Sequence, residues 1–319
     1  MNKIATIELQ NTICDVPGIK VGHVQNHEAR TGCTVILPEM PVVAGVDVRG
    51  LAPGTRELDL LDPVRQISHI HAIVLTGGSA FGLDAACGVV KFLEKNGIGY
   101  DTGVARVPIV PAAVIYDLAV GSPDIRPDQQ MGYLAASNAS FQNTEIGLVG
   151  AGTGATVGKF AGQRFAMNGG IGTCSVLIDE TIVIGALVVV NSLGNIINPE
   201  NGKTIAGARD PNTGHFIDPI SFFKAPKNFS FAQFTNTTLV VVATNAQLSK
   251  ADAKKLAQMA TSGITITTLP AHTPFDGDVV FAISTGENPP VDLIRLGSLA
   301  AQLVSLAIIQ AVNCSNPVE

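Results

Sequence analysis

A cluster of small hydroxyl and amide side chains stands immediately before the most strand-like segment of the chain. The segment FTNTTLVVVATNAQ covers residues 234–247, and its cluster consists of Thr235, Asn236, Thr237 and Thr238. Threonine is common in strands and asparagine in the turns that precede them, so an ordinary structural role is one interpretation. The other interpretation is chemical, because a cut between Asn236 and Thr237 would make a threonine the new N-terminus.

An N-terminal threonine can use its own α-amine as the base for its hydroxyl. The reference pKa of an α-amine is about 7.7–8.0, so part of it is unprotonated near neutral pH. Such a nucleophile needs no histidine. This suits a chain whose six histidines show no H-E-x-x-H motif and no Ser-His-Asp set. His69 and His71 would share one face of a strand, and we interpret them as structural residues.

Other segments supply polar groups that such a nucleophile requires. Asp276 and Asp278 of TPFDGD precede the apolar run VVFA. At positions i and i+2, entering a strand, their carboxylates would point to one side and could hold an ammonium group. The alternative is a hairpin turn, which Asp-Gly also signals. Asn191 ends the run VVVN and could donate to an oxyanion, or it could be an ordinary turn residue at a strand end.

The glycine-rich stretch GTGATVGK at residues 152–159 resembles a phosphate-binding loop only superficially. Thr153 stands where that loop needs its first glycine, and Phe160 stands where it needs serine or threonine. Nucleotide binding is therefore not expected. Lys159 still lies beside backbone that other groups can approach closely, and it is either a site residue or a solvated surface lysine.

A second glycine-rich turn, TGGSAFG, lies between a predicted strand and a predicted helix. The nucleophile elbow G-x-S-x-G requires glycine two residues after the serine, and Phe81 occupies that place, so Ser79 is not expected to be a nucleophile. Backbone amides at a helix N-terminus can hold an anion. Gly78 and Ser79 are therefore candidates for substrate contact, with a tight turn as the alternative.

Composition limits the partners of the protein. Only 14% of the 319 residues are charged, against roughly 25% in an ordinary globular protein. We therefore expect a compact body that also buries surface against copies of itself. The net charge of −6, without a Lys/Arg cluster, is unfavourable for nucleic-acid binding.

The sequence shows no signal for secretion, membrane insertion or disulfide formation. Residues 1–12 lack the apolar stretch of a signal peptide, and no apolar run approaches the roughly 18 residues of a membrane span. The five cysteines are scattered and form no C-x-x-C pair, which indicates free thiols and no zinc site. We therefore expect a cytoplasmic protein without membrane contact.

Periodicity predicts strands in the middle of the chain with helices on both sides. A helix over 81–94 would end at Gly97, and a helix over 248–262 has Ser249 as its N-cap with Asp252 three residues later. A long apolar helix over 293–314 is expected to be buried. The predicted strands are 70–75, 169–177, 181–191, 238–245 and 279–284. Together they indicate a layered α/β or α+β fold.

Motifs along nearly the whole chain resemble those of the self-cleaving L-aminopeptidase/D-esterase family, which includes β-peptidyl aminopeptidases and a nylon-oligomer hydrolase. They are DVPGIKVGH, LTGGSAFGLDAACG, GAGTGATVGK, GGIGT, NTTLVVVA and TPFDGDVVFAISTG. The resemblance implies an αββα sandwich like that of N-terminal-nucleophile hydrolases, with different strand connectivity. It also implies one domain over 1–319 that cuts itself into chains 1–236 and 237–319.

The same resemblance assigns roles to particular residues. Thr237 would be the nucleophile, Lys159 and Asn191 would stabilise the oxyanion or the nucleophile, and Tyr116 would line the site. Asp276 and Asp278 would position the amine of Thr237. Members that are aminopeptidases tend to carry serine as nucleophile and a Ser-x-Glu pair, so this chain is more similar to the nylon-hydrolase side.

The resemblance further implies a small peptide, amide or ω-amino acid oligomer as substrate, hydrolysed through an acyl-enzyme. It implies no cofactor and no metal, and a homotetramer of processed units. Two alternatives remain open at this point. One is acyl transfer to an amino acid, as in the ornithine acetyltransferases, which also cut themselves before a threonine. The other is a non-enzymatic binding protein that is never processed.

Overall fold

Two β-sheets lie face to face between two layers of helices in the computed structural model, which describes residues 11–225 and 236–317. Val74 and Ala85 belong to the apolar core between the first sheet and its helices. Leu75 and Leu239 belong to the core between the two sheets. Val304 belongs to the core between the second sheet and its helices. These three cores confirm the predicted αββα sandwich.

The described residues form the following strands and helices. The strands are β1 (Ile19–Asn26), β2 (Thr31–Pro38), β3 (Val42–Val48), β4 (Thr55–Arg56), β5 (His69–Ile70), β6 (Ile73–Thr76), β7 (Tyr100–Asp101), β8 (Arg106–Val107), β9 (Ala112–Val114), β10 (Thr156–Val157), β11 (Met167–Asn168), β12 (Gly170–Ile178), β13 (Ile182–Asn191), β14 (Asn195–Ile197), β15 (Thr204–Ala206), β16 (Thr237–Ala246), β17 (Thr268–Leu269) and β18 (Val279–Asn288). The α-helices are α1 (Asp84–Lys95), α2 (Gln129–Ser137), α3 (Pro219–Lys224), α4 (Lys250–Ala260), α5 (Ser262–Thr267) and α6 (Leu293–Ser315).

Both large sheets are mixed. The first has the strand order β1-β2-β6-β9-β4, and the second has the order β12-β13-β16-β18-β3-β5. Neighbouring strands are antiparallel except for β6 with β9 and β16 with β18. The parallel pair β16–β18 brings the start of one strand beside the start of the other, although about forty residues separate them in sequence.

Strand β16 is central and buried at all ten positions. Its β-branched residues suit a pleated surface with neighbours on both sides. Successive side chains alternate, so Leu239 and Val241 enter the core between the sheets while Val240 and Val242 enter the core under the helices. Burying one such side chain is worth about 1.5–3 kcal/mol. The strand therefore fixes the position of Thr237, its first residue.

The first fifty residues correct the prediction that strands cluster in the middle of the chain. They contain β1, β2 and β3, which the sequence reading missed. All eight residues of β2 are buried, because helices cover one face of its sheet and the second sheet covers the other. A strand covered on both faces lacks the alternation of polar and apolar residues that identifies a half-exposed strand.

The predicted helices begin and end close to the observed ones, with one difference in type. The segment Ser79–Leu83 is a 3₁₀ helix, and α1 begins only at Asp84. Ser249 caps α4 in a capping box with Asp252, as predicted. Helix α6 is long and apolar enough to cross a membrane by length and composition alone. One of its faces packs against the second sheet, as in a core helix.

Candidate active site

Thr237 lies where two central strands end. It is the first residue of β16 and pairs in antiparallel register with Asn191, the last residue of β13. Alternation places both side chains on the face that Leu239 and Val189 present to the other sheet. Thr237 is only 5% exposed and Asn191 is fully buried. The two residues therefore meet at the edge of the core between the sheets. Phe234 and Thr235, the first two residues of the segment FTNTTLVVVATNAQ, lie outside the described residues.

The carbonyl group of Asn236 is surrounded by hydrogen-bond donors. The Thr237 hydroxyl donates to its oxygen at 2.5 Å, and the backbone N–H of Gly277 donates to the same oxygen at 2.7 Å. The N–H of Asn236 donates to the Phe275 carbonyl at 3.0 Å. Asn236 is thus held like a strand residue against the segment 275–277, next to the hydroxyl of Thr237.

Lys159 is buried beside this junction and is no solvated surface residue. Its Nζ donates to the backbone oxygen of Asn191 at 3.0 Å and to Oδ1 of Asn191 at 2.7 Å. Burial lowers the pKa of Lys159 to about 7, although Asp276 and Asp117 oppose the shift. A neutral amine has two N–H groups. The two hydrogen bonds to Asn191 can use both, which leaves a lone pair that can accept a proton.

Gly158 explains how Lys159 reaches the interior. Its φ of +75° is in the left-handed region, which glycine adopts without strain. A Cβ at this position would lie 1.9 Å from the backbone nitrogen of Ala208. Glycine therefore permits close packing against the segment 207–208, and the chain turns Lys159 inward.

The Asn191 side chain is occupied on both ends. Its Oδ1 also accepts the N–H of Thr156 at 3.0 Å, and its Nδ2 donates to the backbone oxygen of Tyr116 at 3.3 Å. The structure therefore brings Tyr116 to the cluster through its backbone, and the role of its half-buried phenol stays a prediction.

The two predicted carboxylates lie on the other side of Thr237, and they have different partners. Asp278 accepts the N–H of Thr238 at 2.6 Å through Oδ1, and its Oδ2 lies 2.7 Å from Nδ1 of His272. Asp276 accepts the N–H of Thr273 at 2.6 Å. Burial and the nearby charge of Asp278 raise the pKa of Asp276.

The carboxylate segment is neither a strand nor a hairpin turn. Strand β18 begins only at Val279 and runs parallel to β16, so the hairpin alternative was wrong. Asp276 forms an isolated parallel bridge with Asn236, and residues 277–278 lead into β18, so the two carboxylates enter a strand as expected, and their position on one side stays a prediction. The parallel pairing of the two strands brings Asp276 beside Asn236 and Asp278 to the N–H of Thr238.

Asp117 is a buried acid that the sequence reading did not select. It accepts the Thr31 hydroxyl at 2.7 Å and the N–H of Gly78 at 2.7 Å. Burial raises its pKa, and its charge acts on Lys159. The N–H of Ser79 donates to the Ile115 carbonyl at 2.9 Å. The amides of Gly78 and Ser79 thus already have acceptors in the protein, and contact of these two residues with a substrate stays a prediction.

Three further groups belong to the site although sequence reasoning did not assign them. They are the backbone N–H of Gly277, the imidazole of His272 and the carboxylate of Asp117. Asp117 follows the predicted Tyr116 directly, and His272 precedes Asp276 by four residues. Proximity in sequence to a predicted site residue could therefore have identified both of them. The backbone amide of Gly277 could not have been identified in this way. Residues 11–225 and 236–317 contain no group of three or more His, Cys, Asp or Glu side chains that could hold a metal ion.

His69 and His71 differ in their surroundings, contrary to the expectation of a shared strand face. Strand β5 ends at Ile70, His69 is exposed, and His71 is buried. The Nδ1 atom of His71 accepts the N–H of Ile109 at 3.0 Å. The interpretation of His71 as a structural residue agrees with this contact.

The chemistry available at Thr237 is the attack of a hydroxyl on an amide. A hydroxyl lies against a carbonyl group, an N–H donates to the carbonyl oxygen, and a buried amine with a lowered pKa is one strand away. Comparison with known proteins identifies a family of hydrolases. The profile of peptidase family S58 matches residues 11–319.

Two curated relatives illustrate the match. A protein of Mycobacterium tuberculosis named as an uncharacterized aminopeptidase is 38% identical over 338 aligned positions, which cover 97% of this chain and 95% of that protein. A 6-aminohexanoate-oligomer endohydrolase of Kocuria sp. is 30% identical over 314 positions, which cover 94% of this chain and 85% of that protein.

Solved structures share the fold. A β-aminopeptidase of Burkholderia sp. superimposes with a TM-score of 0.71 at 23% identity, covering 98% of this chain and 89% of that one. The L-aminopeptidase D-Ala-esterase/amidase of Ochrobactrum anthropi, described as a new variant among the Ntn hydrolase fold, gives 0.71 at 20% identity, with 96% and 86% covered. The chain belongs to peptidase family S58 and is a hydrolase of the aminopeptidase and amidohydrolase kind.

Proposed function

We propose that the protein cuts its own chain between Asn236 and Thr237 and then hydrolyses small amides with Thr237 as N-terminal nucleophile. The contact of the Thr237 hydroxyl with the Asn236 carbonyl, at 2.5 Å, carries the proposal. It places the attacking oxygen and the bond to be cut in one buried, hydrogen-bonded unit.

Self-cleavage needs a base other than the α-amine, which is still part of the peptide bond. Lys159 supplies it, because the lowered pKa gives an appreciable neutral fraction near pH 7. The Thr237 oxygen attacks the Asn236 carbonyl carbon, the bond from that carbon to nitrogen breaks, and the nitrogen gains a proton. The resulting ester is hydrolysed by water, which leaves a carboxylate on Asn236 and a free amine on Thr237.

Turnover repeats the same chemistry on an external amide. The new α-amine is the base for the Thr237 hydroxyl, and the acyl group of the substrate forms an ester on that oxygen until water releases it. Asp278 already accepts the N–H of Thr238, one residue further along the chain. We propose that its carboxylate and that of Asp276 hold the ammonium form of the amine.

The substrates follow from the class of bond and from the relatives. We propose that the enzyme releases N-terminal residues from small peptides or cleaves oligomers of ω-amino acids. The relative from Kocuria sp. is named for 6-aminohexanoate oligomers and the structural neighbour from Burkholderia sp. for β-aminopeptidase activity.

We further propose a cytoplasmic homotetramer of processed units. Large apolar side chains on the outer helices support assembly with other copies, since Ile266, Ile294 and Leu306 are exposed. The five free cysteines support a reducing compartment.

Intact mass under denaturing conditions tests self-cleavage. The wild-type protein is expected to give two species, and the smaller one should begin with the sequence TTLVV at Thr237. The variant Thr237→Ala should remain a single chain and be inactive on amide substrates. A Thr237→Ala protein that still matures into two chains would disprove the assignment.

Thr238→Ala is the matched control, because it removes a hydroxyl from the adjacent buried residue. We expect it to be processed and to have amide-hydrolysing activity. Assays of the processed protein with a β-alanyl amide and with 6-aminohexanoate oligomers then separate the two substrate groups.

A further inference from the structure

We infer that the backbone N–H of Gly277 is the oxyanion donor for self-cleavage at Asn236. The inference rests on the proposed function, because it concerns the step in which Thr237 attacks its own chain. The hydrogen bond from Gly277 to the Asn236 carbonyl oxygen is 2.7 Å long. The donor therefore already touches the oxygen on which negative charge would develop when Thr237 attacks.

Two donors reach this oxygen before the reaction, and one of them is lost during it. The Thr237 hydroxyl points at the Asn236 oxygen, but its proton must leave when its oxygen becomes the nucleophile. The electron pair of the carbonyl then moves onto the Asn236 oxygen. Of the hydrogen bonds from described residues to that oxygen, the one from Gly277 remains.

Asn191 is the candidate oxyanion donor named from the sequence, and its side chain contacts other groups here. Its Nδ2 donates to the backbone oxygen of Tyr116, and its Oδ1 accepts from Lys159. In the uncut chain this side chain therefore holds Lys159. The donor to the bond being cut comes from the opposite side of Thr237.

The Gly277 amide is fixed before the reaction begins. The carbonyl oxygens of its two neighbours accept backbone N–H groups from the segment 49–52: Ala52 donates to Asp276 at 3.0 Å, and Arg49 donates to Asp278 at 3.0 Å. A Cβ on Gly50 would lie 2.1 Å from the Asp276 oxygen, so the two segments are in close contact. A donor held in this way needs little reorganisation when charge develops on the acceptor.

Glycine is required at position 277 for a separate reason. A Cβ there would lie 2.9 Å from Oγ1 of Thr237 and 2.7 Å from the backbone oxygen of Ala52. A side chain would therefore displace either the nucleophile or the segment that fixes the donor.

Replacing the amide of residue 277 by an ester tests the donor itself. Cell-free translation with a suppressor tRNA carrying glycolic acid exchanges the N–H for an oxygen and adds no side chain. We expect Gly277→glycolic acid to cut itself about 10²–10³-fold more slowly than the wild-type chain, as when one oxyanion donor is removed. The rate is followed by intact mass. An ester variant with native circular dichroism that cuts at the wild-type rate would overturn the inference.

The matched control is Gly214→glycolic acid. The N–H of Gly214 donates to the Asp210 carbonyl at 2.8 Å in a surface turn, so the exchange removes a backbone hydrogen bond of similar length. We expect wild-type cleavage in that protein. If the control is slowed as strongly as the variant at 277, the effect belongs to general loss of backbone hydrogen bonding, and the inference fails.

Two further results separate this inference from the proposed function. A wild-type chain that stays intact refutes self-cleavage itself, whereas cleavage that requires Thr237 but not the amide of residue 277 refutes only the donor. Should the ester variant not fold, NMR decides instead. A scalar coupling across the hydrogen bond from the Gly277 nitrogen to the Asn236 carbonyl carbon is expected in uncut Thr237→Ala, and its absence would refute the inference.

Discussion

The two sides of Thr237 differ in what holds them together. On one side Lys159, Asn191 and the backbone of Tyr116 are bonded to one another, and Asn191 pairs with Thr237 in the sheet. On the other side Gly277 and Phe275 are bonded to Asn236 itself. The hydrogen bonds among Lys159, Asn191 and Tyr116 do not involve Asn236, so they can persist after a cut, whereas the bonds of Gly277 and Phe275 are made to Asn236 itself.

This difference indicates a division of labour. In the proposed self-cleavage, the Lys159 side would provide a proton acceptor whose properties come from burial, and the Gly277 side would provide the donor for the chain's own carbonyl. Asp278 accepts a hydrogen bond from the N–H of Thr238, the residue after the N-terminus that the proposed cut would create. Variants on the two sides should accordingly affect self-cleavage and turnover in different proportions.

The largest effect is expected from Lys159→Met. Methionine fills a similar volume but cannot accept a proton, so self-cleavage should slow by about 10²–10⁴-fold, the usual contribution of a general base. A time course of intact mass measures it. Lys203→Met, at an exposed position, is the matched control and should cut normally. Processing of Lys159→Met at the wild-type rate would remove the base from the Lys159 side.

The pH dependence of self-cleavage also tests Lys159 as the base. Burial lowers the pKa of Lys159 to about 7, so the ammonium form predominates below that pH and cannot accept a proton. We expect the rate to fall about tenfold per pH unit below pH 7 and to level off above it. The rate is measured in rapid buffer-exchange experiments on freshly translated chain. A flat profile between pH 5 and pH 8 would contradict the assignment.

The free energy of unfolding of the uncut chain should also depend on the protonation of Lys159. The folded state holds Lys159 with a pKa of about 7, and the unfolded value is about 10.4. Between these values the unfolded chain binds more protons, so the free energy of unfolding contributed by this group rises with pH. In a Thr237→Ala background, the difference from Lys159→Met should show that rise, which urea unfolding at several pH values can test.

Asp278→Asn should separate turnover from self-cleavage. The amide oxygen of asparagine can still accept the N–H of Thr238, but the negative charge that would hold the Thr237 ammonium is gone. A hydrogen bond to a charged group is worth about 1.5–3 kcal/mol, so turnover should fall about 10- to 100-fold while the chain still folds and matures. Asp124→Asn, on the exposed surface, is the control. Unchanged turnover would remove the amine-positioning role of Asp278.

The smallest effect is expected at His272, which touches Asp278 but not Thr237. Its Nδ1 lies 2.7 Å from Asp278, and its φ of 53° is in the left-handed region. Asparagine tolerates that backbone and can place an amide nitrogen near the Nδ1 position. We expect His272→Ala to lower turnover about 2- to 10-fold and His272→Asn to restore it. Equal activity of wild type and both variants would show that the contact is unimportant.

Much of the second sheet could be predicted from the sequence. The runs that became β12, β13, β16 and β18 are apolar, β-branched and bounded by turn residues, and α4 begins with a capping box. The short-range preferences of these residues act in any context. Strand β2 was missed because burial on both faces removes the alternation that a sequence reading depends on.

Some residues of the candidate site could likewise be predicted from the sequence, and others could not. Thr237, Lys159, Asn191, Asp276 and Asp278 were selected from residue types and resemblance, and the structure brings all five together. Gly277 was missed because its contribution is a backbone amide, which every residue except proline has. His272 and Asp117 were missed because only their partners, Asp278 and Gly78, give them a place in the site.

The sequence by itself determined which chemical groups exist and where the strand that begins at Thr237 starts, because those properties depend on residue type and near neighbours. The tertiary structure decided which of these groups meet. Parallel pairing of β16 with β18 places Gly277 on the Asn236 carbonyl, and packing of two sheets buries Lys159 until its amine can be neutral near pH 7. Both depend on contacts between distant segments and on the exclusion of water, which no local pattern of residues encodes.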